Sequence, residues 1–158
     1  MAGYAEQLER VQRYYNRFKN INDGREHTMS TDHYVDDVHA FFMACYHLKD
    51  WLKNDSSYAA HTKQEIEDYV SKTPALAICA DICNGLKHLV LDPKFGPPRS
   101  GDEPTIGGKH IELTLTASLS GPKIPPRISM KFEIQHSGKT LDAFQLATDA
   151  LAAWQSFI

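Results

Sequence analysis

The feature that most constrains this chain is a change in the spacing of its apolar residues. Up to residue 91 they recur at three and four, and from residue 109 to residue 136 they alternate. A period of 3.6 belongs to amphipathic helices and a period of 2 to half-buried strands. The two regimes are separated by the stretch Asp92 to Gly108, which holds four prolines and four glycines and reads as a long surface loop, the segment expected to be most mobile. The chain is therefore expected to be an α+β protein: a helical core over 1–91, a loop over 92–108, and an antiparallel two-stranded ribbon with a C-terminal helix over 109–158. At 158 residues it matches the size of a single domain and can bury a core without covalent staples.

Four helices are expected before the loop. Leu8, Val11, Tyr15 and Phe18 mark the first, from about Tyr4 to Ile21, ended by Asn22, Asp23 and Gly24. The second begins after Ser30 or Thr31, whose hydroxyls can accept first-turn N–H groups, and carries Val38, Phe41, Cys45, Leu48 and Leu52 inward. Thr62 and Glu65 form a capping box for a short third helix. Thr73 followed by Pro74 opens the fourth, expected to run to about Leu91. In the ribbon, Ile111, Leu113, Leu115, Ala117 and Leu119 alternate with polar residues, as do Ile128, Met130, Phe132 and Ile134. The two segments are expected to pair as antiparallel neighbours, with Ile111, Leu113, Leu115, Ile128, Met130 and Phe132 packed under the last helix. Ser137-Gly138 turns the chain, and Thr140 is the expected cap of that helix.

Composition removes several classes of function. A formal charge of −3 gives no global attraction to nucleic acid or anionic lipid. The cluster Arg10, Arg13, Arg17, Lys19 and Arg25 is interleaved with Glu6, Glu9 and Asp23, as on a solvated helix face. No apolar run reaches the ~20 residues of a membrane span and no secretory pattern opens the chain, so a cytoplasmic protein without membrane contact is expected. Phosphate-loop, dinucleotide-binding, nucleophile-elbow and zincin motifs are all missing, and nothing signals DNA specificity or calls for a cofactor. The three cysteines, Cys45, Cys79 and Cys83, are expected to be reduced core residues; a shared thiolate metal site is the alternative.

Chemistry concentrates on the fourth helix. At 100° per residue, Asp81, Asn84 and His88 fall within roughly 60° of one another, opposite Leu76, Cys79, Cys83 and Leu86. Ala77 and Gly85 beside them leave room for a close approach. On the second helix His47, Asp50, Trp51 and Asn54 share a face away from its core stripe. If the two faces meet they make a pocket with paired acids and bases. Otherwise they are a wet surface, or a structural polar network.

The segment Cys83-Asn84-Gly85-Leu86-Lys87-His88, late in a helical region, resembles the motif of the HEPN superfamily (higher eukaryotes and prokaryotes nucleotide-binding domains). Asn84 and His88 match the motif's polar residue and histidine; its arginine has no counterpart at Asp81, Ile82 or Cys83. The resemblance covers the helical part alone. It implies an RNA- or nucleotide-associated protein of bacterial defence or toxin type, a homodimer, and a metal-independent ribonuclease that is weak or degenerate. In that scheme His88 is the general acid or base, with Asn84 and Asp81 beside it, and Lys87, His47, Asp50 and Asn54 serve substrate binding. A non-enzymatic homodimeric interaction module is the competing expectation.

Overall fold

The computed structural model describes residues 3–88, 96–116 and 121–158. Helix α1 (Tyr4–Asp23) leads through β1 (Arg25–Glu26) to α2 (Thr31–Asn54), α3 (Lys63–Lys72) and α4 (Pro74–His88). Strands β2 (Thr105–Thr114), β3 (Arg127–His136) and β4 (Lys139–Asp142) then precede α5 (Ala143–Phe157). The architecture is α+β with an antiparallel sheet. Among the described residues no helix is long and apolar enough to cross a membrane.

Local chemistry accounts for most boundaries. Glu65 N–H donates to Thr62 Oγ1, and the Glu65 carboxylate accepts the Thr62 N–H, which completes the expected capping box. Helix α4 starts at Pro74, as the Thr73-Pro74 pair requires. Ser30 precedes α2 without a side-chain capping bond, so its hydroxyl does not play the expected part. The start of α1 is capped from a distance: Asp55 Oδ2 accepts the Tyr4 N–H at 2.8 Å. Its end is set by Gly24, whose φ of +103° lets the chain leave the helix into β1. The basic residues of α1 pair with acids, Arg10 with Glu6, Arg13 with Glu9 and Arg17 with Asp37, as a solvated face should.

The expected ribbon of β2 and β3 is present and is widened by two short strands. Strand β3 is central: β2 runs along one edge, while β1 and β4 share the other, at opposite ends of β3. Ser137 and Gly138 both have positive φ, the two-residue turn that suits the twist of a tight hairpin between β3 and β4. Thr140 therefore lies within β4, and the cap of α5 is Asp142, whose Oδ1 accepts the Gln145 N–H at 2.8 Å. Strand β2 also starts earlier than its alternation suggests, inside the Pro/Gly-rich stretch; Leu89, Val90, Leu91, Ala117 and Leu119 lie outside the described residues.

The core sits between the helices and one face of β3. Ile128, Met130, Phe132 and Ile134 are buried against α1 and α5, with Phe18 meeting Phe132 edge-on at 6.0 Å. Trp154 of α5 is fully buried, and its indole N–H donates to the Cys45 carbonyl of α2 at 3.0 Å. The expectation that both strands pack under α5 fails for β2. Ile111, Leu113 and Leu115 are 52%, 52% and 74% exposed, because the helical layer lies beneath β3 and stops short of its neighbour.

Candidate functional site

Helix α4 is covered by α2, α3 and α5, which explains why every residue from Leu76 to Cys83 is buried. Asp81 is among them, 2% exposed, and a carboxylate there needs donors. They come from the loop. Gly101 N–H bonds to the Pro98 carbonyl at 3.1 Å, closing a turn whose central N–H groups, those of Arg99 and Ser100, have no partner within it. Asp81 accepts both, at 2.9 and 2.7 Å, and the Ser100 hydroxyl at 2.6 Å. His136 Nε2 lies 3.0 Å from Ser100 Oγ. Since the hydroxyl proton is directed at Asp81, the imidazole must be the donor in that contact. The described part of the expected mobile loop is thus bolted to the core at residues 99–100.

The same turn carries the Arg99 side chain onto a charged cluster. Its guanidinium bonds Glu67 Oε2 at 2.7 Å and Ser71 Oγ at 3.2 Å, and lies 5.7 Å from the Tyr46 ring centre. Lys49, buried, reaches Asp50 at 2.8 Å and Glu67 at 3.1 Å, with its ammonium 4.8 Å over the same ring. Lys53 bonds both Asp50 and Glu67. Burial alone would raise the Glu67 carboxyl, but hydrogen bonds from Lys53, Arg99 and Lys49 outweigh it and hold the pKa down to about 2. Burial raises Asp50 too, and its two lysines again win, so its pKa is lowered.

The residues singled out from sequence divide among neighbouring places. Helices α2 and α4 do meet, but at His47 and Cys83, whose Nε2 and Sγ are 3.7 Å apart. Burial pushes the Cys83 thiol up to about 11 against the opposing pull of Lys87 and Lys49. Asp50 and Asn54 line a cleft of about 260 Å³ with Gly3, Trp51 and Asp55, and the Asn54 amide donates to the Asp50 carbonyl, finishing its own helix. Asp81 borders another cleft of about 350 Å³ with His39, Ile82, Gly85, Leu86 and Ile106. Burial holds His39 below the usual histidine range, with Lys109 adding to the effect and Asp36 opposing it. Asn84 is half-buried, and Lys87 and His88 are exposed on the last turn of α4. All three cysteines are free and buried. Among the described residues no group of three or more His, Cys, Asp or Glu side chains is disposed to hold a metal ion.

Arg99 and Ser100 escaped the reading of periodicity because a turn has none. A usable signal existed: an acid on an otherwise apolar helix needs donors, and a tight Pro-Pro-Arg-Ser-Gly turn has N–H groups to give. Compared with protein-family models, curated proteins and solved structures, the chain finds no match.

Proposed function

We propose that this chain is a HEPN-like, RNA- or nucleotide-associated protein of bacterial defence or toxin type, acting in the cytoplasm, whose phosphate binding exceeds its catalysis. The observation that carries the reading is Arg99 beside Tyr46. A guanidinium next to an aromatic face suits a nucleotide, with phosphate on the cation and the base stacked on the ring. Two of the guanidinium's five N–H donors are engaged by Glu67 and Ser71, which leaves others for an incoming oxygen. In this reading His88 is the general acid or base toward a ribose 2′-hydroxyl, with Asn84 orienting it and Lys87 and His47 contributing to phosphate attraction. Asp81 acts by holding the Arg99 turn. Because Arg99 is committed to Glu67, charge stabilisation of the transition state is poor, and a missing donor of this kind costs about 10²- to 10³-fold in rate.

The test is a polarisation titration of labelled single-stranded RNA at rising salt, with cleavage followed on gels. Binding is expected to weaken as salt rises, to fall about tenfold in Arg99→Ala, and to be largely kept in Arg99→Lys. His88→Ala should abolish any residual cleavage while leaving binding within about twofold. Absence of binding at low salt, or binding indifferent to Arg99→Ala, refutes the reading.

A second reading, a non-enzymatic homodimeric interaction module, is favoured by the exposed apolar residues of β2.

A further inference from the structure

Strand β2 combines two features that a water-facing strand normally avoids. Its direct partners on β3 are Met130 for Ile111 and Ile128 for Leu113, so these pairs project from the same face of the sheet. Met130 and Ile128 are buried, while Ile111 and Leu113 are half in water. Among the described residues β2 pairs only with β3, so its far edge offers the backbone donors and acceptors of a ten-residue strand. A register shift between Gly107 and Lys109 sets this face: beyond it Lys109, Ile111 and Leu113 point inward, and His110, Glu112 and Thr114 point outward. A Cβ at Gly108 would lie 2.5 Å from Glu133 Oε2, so any larger residue at the bulge would have to displace the Glu133 side chain.

From this we infer that the occupant of the edge is a second copy of the chain, its β2 antiparallel to the first about a two-fold axis through Ile111. An axis normal to the sheet keeps the apolar faces of both copies on one side, and it requires one residue to face itself. Centring on Glu112 opposes two carboxylates, and centring on His110 opposes two imidazoles. With Ile111 on the axis, His110 faces the partner's Glu112 twice on the outer side, and Ile111 meets the partner's Ile111 on the inner side. Leu113 then lies across from the partner's Lys109, whose stem can cover it. The paired span, 108–114, falls wholly within β2. The two strands would join the sheets of both copies into one continuous antiparallel sheet, with a joint apolar strip from Ile111 and Leu113 of each. This inference rests on the interaction-module reading and names its partner and register.

Sedimentation velocity over a concentration series, with circular dichroism as a check on folding, tests it. The protein should dimerise; Leu113→Lys should raise the dissociation constant at least about tenfold. Glu112→Lys and His110→Glu should each weaken the dimer, and the double variant His110→Glu/Glu112→Lys should recover it, because the exchanged charges again face each other. A protein that stays monomeric throughout overturns both the inference and the module reading. A dimer indifferent to Leu113→Lys, or single charge variants not rescued by the exchange, overturns the β2 assignment while leaving a dimeric module standing.

Discussion

Asp81 does its work by accepting hydrogen bonds. Three donors from one turn converge on its carboxylate, and the turn in turn delivers Arg99 to Glu67 and Ser100 to His136. Asp81→Ala leaves the Arg99 and Ser100 N–H groups without their acceptor in a part-buried site, and leaves the Ser100 hydroxyl with the Asp102 carbonyl alone. Stability should drop by about 3 kcal/mol in urea denaturation, with protease cutting newly admitted near residues 99–100. The melting temperature should fall by roughly 6–12 °C. Unchanged stability would mean that the turn is held by other contacts. The cysteines make a second residue-scale case. Burial raises the Cys79 thiol well above its ordinary range and Cys83 to about 11, so both stay protonated at pH 8. A thiol-specific disulfide reagent should react slowly with the native protein and with all three cysteines once it is unfolded. Rapid native reaction at Cys83 would show that His47 draws off its proton.

At the scale of elements, Glu67 ties α3 to α2 and to the 96–104 loop through three cations. Its pKa in the folded protein, about 2, lies below the ordinary 4.5, so the folded state favours the ionised form. The stability this contributes is fully present above about pH 4.5 and is lost as pH falls toward about 2. Urea midpoints measured between those limits should decline more steeply for the native chain than for Glu67→Gln. Equal slopes would show that other carboxylates dominate acid unfolding. The strands illustrate a different point at this scale. Ile111 and Leu113 of β2 alternate with polar residues as Ile128, Met130, Phe132 and Ile134 of β3 do, yet one strand is buried and the other is not. Period 2 states that a strand has two faces; whether anything covers the apolar one depends on where the helices end.

Across the whole molecule, the N-terminal helices and the C-terminal half share one core. Phe18 meets Phe42, Phe132 and Phe144, and Trp154 bonds across to the backbone of α2. Trp154→Ala should therefore cost about 3–5 kcal/mol and weaken the helical part along with α5, in a single transition. Separate transitions for the two halves by different probes would contradict a common core. The sequence by itself determined what depends on neighbours in the chain: the helical and strand periods, the Thr62/Glu65 box, the Thr73-Pro74 start, the Ser137-Gly138 turn and the inward stripe of α2, whereas on α4 the expected stripe residue Leu86 is exposed and Asp81, on the other side, is buried. It also located a polar face on α4 and another on α2, because helical spacing makes a face a local property. Tertiary structure alone decided what those faces meet. It put Asp81 under a turn, set His47 against Cys83, and drew Asp50 into a cation cluster with Glu67. From loop positions without periodicity it supplied Arg99, Ser100 and the distant cap Asp55. It also left β2 half uncovered, since coverage is set by the reach of α1 and α5, which alternation along a strand does not encode.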